Sequence, residues 1–413
     1  MRLLVLTNFY PPLALGGYEL ICQQHVEWLR GRGHHVTVLT SSYGVDGTAT
    51  GDDVVRRLDL HWRDFEHQTP GWWRLLYGER RQRRLLERVI RDGRPDAALV
   101  WGMAAISKSL LAVLGAEGVR TVAVVEEEWP IWDIESDAWL SFWSAHLGRR
   151  LRSLGGPLRR LAAAAVAPVD VRPALGHIQP IYASHDLLQH VEAAREEWRG
   201  KGRVALNGIS SQMFATRDPD EPLSRPLRLL YAGRVEARKG VRTAIEALAG
   251  LTRGGTSAVL TVAGWRHPAY TEELEKTAGE LDVAPLVHWR EVIPREAMPQ
   301  LYRQHDVLLF PTIWREPFGL VPLEAMACGC LVIATGTGGS AEYLRNGENA
   351  LLFPPQDDGA IAERVKELAA NPTLVRRLRL GGSQTAARHR FDDFALAIEG
   401  ALTEDGLALV SPG

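Results

Sequence analysis

The sequence predicts an α/β protein built from two domains that each contain a parallel β-sheet. The chain has 413 residues, which is more than a single hydrophobic core usually organises. Short apolar runs alternate with helical segments from end to end, which is typical of strands buried between helices. Residues 216–226 are rich in proline and charge and interrupt this alternation, which restarts after them. We expect this segment to be the linker between the domains.

Each predicted element has its own sequence signal. The apolar runs at 2–7 and 35–40 flank a helical segment near 18–32, which is the pattern of a βαβ unit. Further buried strands are predicted at 97–101, 121–126, 203–208, 227–233, 258–264, 286–289, 306–311 and 330–335. Helices of the second half are predicted near 240–250, 270–281, from about 317, at 360–371 and at 391–403. Parallel sheets bind ligands beyond the carboxyl ends of their strands, so functional residues are expected directly after these runs.

Composition excludes several classes of protein. The chain is 46% hydrophobic and 24% charged with a net charge of −2, whereas a general nucleic-acid-binding protein is usually basic. No apolar run reaches the ~18–20 residues of a membrane span. Asn8 and Pro11 interrupt the N-terminal run, which argues against a signal peptide. The three cysteines lack C-x-x-C spacing, which fits a reducing compartment. We therefore expect a cytoplasmic protein without a nucleic-acid partner.

Two acidic residues, Glu316 and Glu324, stand in the segment "WREPFGLVPLEAMACG" with seven residues between them. Pro317 suits the first turn of a helix, so Glu324 would follow Glu316 by roughly 12 Å along one helix axis. At that separation the carboxylates cannot share one proton or one metal ion. They can accept hydrogen bonds from diols at the two ends of an extended ligand such as a nucleotide sugar, whose central anion a helix N-terminus would favour. Taken singly, the acids would be a helix cap and a surface residue.

Two further strand-to-helix junctions carry candidate ligand-binding residues. Arg234 and Lys239 follow the strand that ends at Gly233, and two cations beside a helix start can clamp a diphosphate. The spacing is not that of a P-loop, and the alternative is a solvated basic surface. Gly16 and Gly17 open the first helix, where glycine lets a ligand approach backbone N–H groups. The alternative for this pair is a plain turn.

These motifs resemble those of the retaining, metal-independent glycosyltransferases of family 4, which have the GT-B fold. The resemblance is carried by the E-x7-E element in "EPFGLVPLEAMACG", by "GRVEARKG" and "ALNGISSQMF", and by "GTGGSAEYLRNGENALLFPPQD". It implies two Rossmann-like domains that face each other across a cleft. The N-terminal, acceptor-binding domain would span 1–215 and the nucleotide-sugar-binding domain 226–387. The remaining 388–413 would form a helix that crosses back to the N-terminal domain.

The resemblance also implies a role for each motif residue. Arg234 and Lys239 would neutralise the diphosphate as it leaves, Glu316 would hold donor-sugar hydroxyls, and Glu324 would hold the ribose diol. Further donor contacts are implied at Gly16, Gly17, Gly233, Val292, Phe318, Gly319 and Leu320. No metal ion and no other cofactor would be required.

The function implied by the resemblance is transfer of a sugar from a nucleoside diphosphate sugar with retention of configuration. UDP is the expected carrier, with GDP and dTDP as alternatives. A glycan, a lipid-linked molecule or a small-molecule natural product would be the acceptor. A nucleotide-sugar epimerase, a phosphorylase or a non-catalytic nucleotide-sugar-binding protein are the alternative functions. The sequence does not indicate an oligomeric state.

One part of the N-terminal half departs from the family pattern. Many relatives carry a histidine before a Trp-Pro pair, where this chain has Glu126. We therefore consider Glu126, Glu127, Glu128 and Trp129 candidate contacts of a polyhydroxylated acceptor. The alternatives are a solvated acidic loop and, for each tryptophan, packing in the core.

Two arginine-rich segments with apolar stripes lie at 72–94 and 148–160. Such composition is typical of helices on the surface of an anionic membrane, which would be a peripheral contact with its inner face. We favour the alternative, in which amphipathic helices cover the first sheet and point their arginines outward. Interspersed acidic residues and the near-zero net charge support that interpretation.

Overall fold

The structure is a computed structural model of the chain. It describes residues 1–14, 16–45, 53–63, 66–68, 70–132, 137–143, 161–162, 164–167, 175–210, 213–214 and 216–403. The chain divides into two compact units. Unit 1 comprises Met1–Ala205 and the chain from Ala395 onward, and unit 2 comprises Leu206–Phe394.

Unit 1 is built around a parallel sheet. Its strands are β1 (Arg2–Leu6), β2 (His35–Ser41), β3 (Val54–Leu58), β6 (Ala97–Val100), β7 (Arg120–Val125), β8 (Gln179–Tyr182) and β9 (Arg203–Val204), while β4 (Trp62–Arg63) and β5 (Glu66–His67) form a separate antiparallel pair. The described helices are α1 (Gly17–Gly31), α2 (Trp72–Gly93), α3 (Ser109–Ala116), α4 (Ala138–Ser141) and α5 (His185–Ala194). The seven strands lie in the order β3-β2-β1-β6-β7-β8-β9, and every neighbouring pair is parallel.

Unit 2 contains a second parallel sheet. Its strands are β10 (Leu227–Ala232), β11 (Ala258–Ala263), β12 (Val287–Arg290), β13 (Val307–Phe310), β14 (Leu331–Ala334) and β15 (Leu351–Leu352). Its helices are α6 (Val241–Arg253), α7 (Pro268–Glu280), α8 (Met298–Arg303), α9 (Leu320–Ala327), α10 (Asp358–Ala370), α11 (Pro372–Arg388) and the first part of α12 (Phe391–Leu402). The six strands lie in the order β12-β11-β10-β13-β14-β15.

Both sheets have the strand order of a Rossmann fold. The chain builds two strands to one side of the first strand and then returns to build the others on its opposite side. This reversal creates a topological switch point between β1 and β6 in unit 1 and between β10 and β13 in unit 2, where α/β sheets bind ligands. The predicted α/β fold with two Rossmann-like domains is confirmed.

The structure differs from the sequence-based elements in several places. Strands β3, β8 and β15 were not predicted, because their runs are short or only partly apolar. The predicted helix start near 317 is wrong, since α9 begins at Leu320. Gly319 precedes it with a φ of +84°, a left-handed conformation that suits glycine and separates the loop from the helix.

Helix α12 continues from unit 2 into unit 1. Its residue Glu399 places Oε1 at 2.9 Å from both Arg32 Nε and His34 Nε2. Arg120 donates a hydrogen bond of 2.9 Å to the carbonyl oxygen of Ala401. These polar contacts attach the C-terminal half of α12 to the ends of α1 and β7.

Helix α2 covers the first sheet, as the sequence interpretation favoured. Its residues Leu75, Leu86 and Ile90 lie in the core of unit 1. The second basic segment, 148–160, lies outside the described residues. No helix in the described part of the chain has both the length and the apolar composition that crossing a bilayer requires.

One acidic residue of α2, Glu79, lies in the protein interior. Ser107 donates a hydrogen bond of 2.6 Å to Glu79 Oε1, and Ser109 donates another to the same atom. Burial, with a contribution from Asp137, raises the pKa of Glu79 from 4.5 to about 8. Glu79 is therefore held in its neutral, protonated form near pH 7.

A close backbone contact joins the two strands at the switch point of unit 2. Gly240 follows the loop after β10 and has a φ of +74°. A Cβ at Gly240 would overlap the carbonyl oxygen of Pro311, which directly follows β13. Only glycine allows the two loops to approach so closely.

The buried proton on Glu79 predicts a pH dependence of stability. The folded chain keeps this proton up to about pH 8, whereas the unfolded chain releases it near pH 4.5. The free energy of unfolding should therefore fall by a few kcal/mol in order of magnitude as the pH rises across this interval. Glu79→Gln should remove that slope in urea unfolding measured from pH 5 to 9. Glu87→Gln, on the same helix, is the control; parallel slopes for all three proteins would refute the prediction.

The contact between Gly240 and Pro311 predicts that an added methyl group destabilises the protein more at position 240 than at a glycine without such a contact. Gly255→Ala changes a glycine with a φ of +73° and no atom within 4 Å of the new Cβ. Its free energy of unfolding should therefore fall only by the cost of placing alanine in a left-handed conformation, about 1 kcal/mol. Gly240→Ala adds the overlap and should lose about 3 kcal/mol or more in urea unfolding. Equal losses for the two variants would contradict the proposed steric constraint.

Candidate functional site

Two loops of unit 2 meet at the switch point. The loop after β10 carries Arg234 and Lys239, and the loop after β13 carries Glu316. The backbone N–H groups of Ile313 and Trp314 donate hydrogen bonds of 3.0 and 3.2 Å to the carbonyl oxygen of Arg238. The loops are therefore joined through their backbones, and their side chains share one edge of the sheet.

The structure brings Lys239 and Glu316 into direct contact. Lys239 Nζ lies 2.7 Å from Glu316 Oε2. Both side chains are largely buried, with 16% and 13% of their surface exposed. The carbonyl oxygen of Glu316 accepts a hydrogen bond of 2.7 Å from the N–H of Gly339, which follows β14. One cation and one carboxylate are thus fixed side by side at the carboxyl ends of β10, β13 and β14.

The other basic residues of the loop are held by Glu236. Arg234 Nη1 lies 3.0 Å from one carboxylate oxygen of Glu236, and Arg238 Nε lies 2.8 Å from the other. Burial by itself raises the pKa of Glu236, but the two arginines outweigh this effect and lower it below its usual value. The guanidinium of Arg238 also lies 3.7 Å from the ring centroid of Trp314, a cation–π contact. Neither Glu236 nor Trp314 has a recognisable spacing in the sequence, so neither is among the predicted site residues.

Glu324 is the fifth residue of α9 and is only 7% exposed. Tyr302, which is fully buried on α8, donates a hydrogen bond of 2.8 Å to Glu324 Oε2. Burial raises the pKa of Glu324, while Arg295 and the Tyr302 hydroxyl act in the opposite direction. Tyr302 is not among the predicted site residues, because it lies 22 residues before its partner in the sequence.

The start of α9 is braced from within unit 2. The hydroxyl of Tyr343 donates a hydrogen bond to the carbonyl oxygen of Gly319. The Phe318 ring is 3% exposed and packs against Tyr343 and His389, at centroid distances of 5.3 and 5.8 Å. The Phe318 side chain therefore supports the loop, which leaves the backbone N–H groups around Gly319 and Leu320 at the helix N-terminus.

The helix start corrects the predicted geometry of the acidic pair. Glu316 lies in the loop before α9, and only Glu324 lies on the helix. The predicted separation of roughly 12 Å along one helix axis therefore does not describe these two acids. Instead, the Glu316 side chain passes beside Gly319, whose Cβ, if present, would lie 3.2 Å from Glu316 Cγ.

Two further predicted donor residues lie at the same edge of the second sheet. Gly233 directly follows β10 and has a φ of +143°, which favours glycine. Val292 lies in the loop after β12 and is 59% exposed. Both follow the carboxyl ends of parallel strands, where α/β sheets bind ligands.

The glycine pair of unit 1 lies at the corresponding edge of the first sheet. The N–H of Gly16 donates a hydrogen bond of 3.0 Å to Glu19 Oε2, and Gly17 is the first residue of α1. Burial raises the pKa of Tyr18 well above its usual value, and the nearby carboxylates of Glu127 and Glu126 raise it further. The start of α1 and the loop after β7 therefore lie close together.

The acidic run after β7 is not a solvated loop. Glu126 and Glu128 are each 9% exposed, and Glu127 is half-buried. Glu128 Oε1 lies 3.0 Å from His190 Nε2. The alternative of a solvated acidic loop is therefore wrong for Glu126 and Glu128.

Trp129 belongs to the hydrophobic core. It is 1% exposed and packs edge-on against Trp198, at a centroid distance of 5.9 Å. Trp139 and Trp143 are also buried. For these three residues the packing interpretation is confirmed, and the Trp129 ring presents almost no surface on which a sugar could stack.

Comparison with known proteins finds a family match in the C-terminal half of the chain. Residues 215–384 match the family model described as Glycosyl transferases group 1. This segment is similar to the glycosyl transferases group 1 family. It contains Arg234, Lys239, Glu316 and Glu324, so the candidate site of unit 2 lies within the matched family domain.

One curated relative is the D-inositol 3-phosphate glycosyltransferase of Streptomyces bingchenggensis (strain BCW-1). It is 33% identical over 175 residues, which are 41% of this chain and 38% of that protein. The chain thus matches less than half of that relative's length.

Two solved structures share the fold over nearly the whole chain. Sucrose-phosphate synthase from Thermosynechococcus elongatus has a TM-score of 0.69 at 19% identity and covers 96% of this chain and 97% of its own. HepE of Anabaena, solved in complex with UDP and glucose, has a TM-score of 0.68 at 18% identity and covers 98% and 100%. At these identities the likeness establishes the fold alone, and it confirms the predicted GT-B architecture.

The contact between Tyr302 and Glu324 predicts a coupled effect on stability. Tyr302→Phe removes the hydroxyl and leaves a buried carboxylate oxygen without a donor, which should cost about 1–3 kcal/mol in urea unfolding at pH 8. The loss of stability should be smaller at lower pH. Burial raises the pKa of Glu324, and removal of the hydroxyl raises it further. Lowering the pH therefore protonates Glu324, and the protonated acid depends less on the missing donor. In the double variant with Glu324→Gln, the loss should be smaller than the sum of the two single losses.

Tyr77→Phe, at a tyrosine that is 74% exposed, is the matched control and should leave stability unchanged. A pH-independent loss for Tyr302→Phe, or additive losses in the double variant, would contradict the assigned contact.

Proposed function

We propose that the protein is a retaining glycosyltransferase of family 4 that transfers a sugar from a nucleoside diphosphate sugar, with UDP as the carrier. The acceptor is a glycan, a lipid-linked molecule or a small-molecule natural product, and the reaction runs in the cytoplasm without a metal ion. The observation that carries this proposal is the contact between Lys239 and Glu316 at the switch point of unit 2. A cation for a phosphate and a carboxylate for sugar hydroxyls are thereby adjacent, as the two sides of a sugar–phosphate bond require.

Each end of the donor has a candidate partner in unit 2. Glu324 would accept hydrogen bonds from the ribose diol, with the Tyr302 hydroxyl holding its other oxygen. The N-terminus of α9, together with Arg234 and Lys239, would bind the diphosphate. Glu316 would hold the hydroxyls of the donor sugar. The UDP and glucose bound in HepE support UDP as the carrier, and the name of the Streptomyces relative supports glycosyl transfer.

Catalysis would rest on stabilising the leaving group. The bond between the anomeric carbon and the diphosphate oxygen breaks, and a bond from the same carbon to the acceptor oxygen forms on the same face. The acceptor proton passes to the departing phosphate, so no protein base is needed. Fixed cations at Lys239 and Arg234 stabilise the charge that develops on the diphosphate, because they need not reorganise during the reaction.

The acceptor would bind in unit 1, at the carboxyl edge of the first sheet. Gly16 and Gly17 offer backbone N–H groups at the start of α1. Glu126, Glu127 and Glu128 follow β7 and provide carboxylates that can accept hydrogen bonds from hydroxyl groups. Glu126 would there take the position of the family histidine.

The donor site predicts nucleotide binding that does not require a metal ion. UDP should bind to the wild-type protein in titration calorimetry in the presence of EDTA, more tightly than GDP or dTDP, and added magnesium should not tighten it. Lys239→Met should weaken UDP binding by about 10–100-fold, because it removes a partly buried cation from the diphosphate. Lys276→Met, at an exposed lysine of the same unit, is the matched control.

Variants of Glu316 and Glu324 should have different effects on nucleotide binding and on turnover. Binding is measured by the same calorimetry, and turnover by UDP release from the UDP-sugar that binds best. Glu324→Gln should weaken nucleotide binding by about tenfold or more. Glu316→Gln should leave UDP binding within about threefold and reduce turnover by at least about 100-fold. Absence of nucleotide binding, or wild-type behaviour of both variants, would refute the proposed donor site.

A further inference from the structure

Helix α2 begins with three aromatic side chains that point into solvent. Trp72 is 48% exposed, Trp73 is 69% exposed and Tyr77 is 74% exposed. The Trp72 and Trp73 rings stack on each other, with 3.7 Å between their centroids. Three large aromatic residues exposed within six positions of one helix indicate an interaction surface rather than core packing.

These aromatic residues continue into a row of arginines on the same helical face. The row consists of Trp73, Tyr77, Arg80, Arg84, Arg88 and Arg91, all exposed, and we call it the α2 stripe. Their spacings of four, three, four, four and three residues place the six side chains within an arc of about 80° on a helix with 3.6 residues per turn. The opposite face holds Leu75, Leu86 and Ile90 in the core.

The α2 stripe carries positive charge that nearby acids do not neutralise. Arg81 pairs with Asp59, and Arg83 pairs with Glu87. Glu79 is buried and largely neutral near pH 7. The four stripe arginines, in contrast, make no hydrogen bond or ion pair with the part of the chain that the structure describes.

The aromatic end of α2 projects beyond the functional edge of the first sheet. Gln82 accepts a hydrogen bond of 3.0 Å from the N–H of Asp59, which follows β3. Glu79 accepts a hydrogen bond from the hydroxyl of Ser107, which follows β6. Residues 79–82 are therefore level with the carboxyl ends of the strands. Trp73 lies about 10 Å further along the helix axis. Gly16, Gly17 and Glu126 follow strands at the same edge.

We propose that the α2 stripe docks unit 1 onto an anionic lipid bilayer. Tryptophan and tyrosine favour the boundary between headgroups and acyl chains, and arginines beside them attract anionic headgroups. Arginine occupies every stripe position over the roughly 16 Å from Arg80 to Arg91, which fits an extended charged plane. The chain as a whole has a net charge of −2, so the positive charge of the stripe is local.

Docking of this kind narrows the choice of acceptor. This conclusion about the acceptor rests on the proposed function. The bilayer would run along the outer side of α2, and the aromatic end of the helix would bring it past the edge of unit 1 that carries the candidate acceptor residues. Among the three acceptor classes, it favours a lipid-linked one, because the lipid would bring the acceptor hydroxyl to that edge.

Flotation of the full-length protein with vesicles tests the surface without donor, acceptor or turnover. Vesicles of phosphatidylcholine alone are compared with vesicles that contain 30 mol% phosphatidylglycerol (roughly the anionic content to which basic stripes respond). Binding should require the anionic lipid and fall steeply with salt. Arg80→Glu/Arg84→Glu/Arg88→Glu should lower the partition coefficient by about 100-fold or more, and Trp72→Ser/Trp73→Ser by about tenfold or more.

Matched variants separate the stripe from general charge and from misfolding. Arg80→Lys/Arg84→Lys/Arg88→Lys keeps the charge and should bind within about threefold of wild type. Arg377→Glu/Arg388→Glu changes two exposed arginines of α11 and should bind like wild type. Circular dichroism and thermal unfolding identify any variant that fails to fold.

Three results would overturn the proposal. They are equal binding to both kinds of vesicle, wild-type binding by the folded charge-reversed variant, and stripe-dependent binding to heparin or nucleic acid without binding to vesicles. Nucleotide binding is measured separately. If the wild-type protein binds UDP but neither kind of vesicle, the docking surface is rejected and the proposed reaction stands.

Discussion

The site of unit 2 depends on one steric constraint, the approach of the Gly240 backbone to the carbonyl group of Pro311. Strands β10 and β13 are neighbours in the sheet, and the helices that follow them, α6 and α9, begin shortly after their carboxyl ends. The absent side chain at Gly240 lets the two loops pack directly on each other. Their backbone hydrogen bonds then bring Lys239 to 2.7 Å from Glu316. The chemistry of the pair thus follows from backbone packing.

Three carboxylates near this edge are tuned by different partners. Glu236 lies between two arginines, which lower its pKa in spite of its burial. Glu316 is held against one lysine. Glu324 has a neutral hydrogen-bond donor, Tyr302, and burial raises its pKa. Carboxylates held by cations and a carboxylate held by a neutral hydroxyl group are suited to different parts of a ligand.

Helix α2 presents different kinds of residue on its two sides. Its inner side supplies apolar side chains to the core and one carboxyl group, Glu79, whose charge is suppressed by burial. Its outer side holds the aromatic residues and the exposed arginines of the stripe. The sequence interpretation treated the covering helix and the membrane-surface helix as alternatives. The two interpretations do not exclude each other, because the inner and outer sides of the helix use different residues.

Periodicity and composition alone determined the α/β class, the presence of two parallel sheets and most of the long strands and helices. Buried parallel strands are nearly continuous apolar runs, which makes them readable in a single sequence. The same pattern missed β3, β8 and β15, whose two to five residues carry too little signal. It also placed the start of α9 too early, because Pro317 suits a helix start while the decisive residue is Gly319, whose φ of +84° is set by its surroundings.

Spacing identified Glu316, Glu324, Arg234 and Lys239, because motif residues lie close together along the chain. Only the tertiary structure showed that Lys239 touches Glu316, that Tyr302 bonds Glu324 and that Trp129 lies in the core. These contacts join residues 77, 22 and 69 positions apart. Contacts at such separations are decided by which strands become neighbours, and strand order is a property of the folded sheet, which no local segment of the sequence contains.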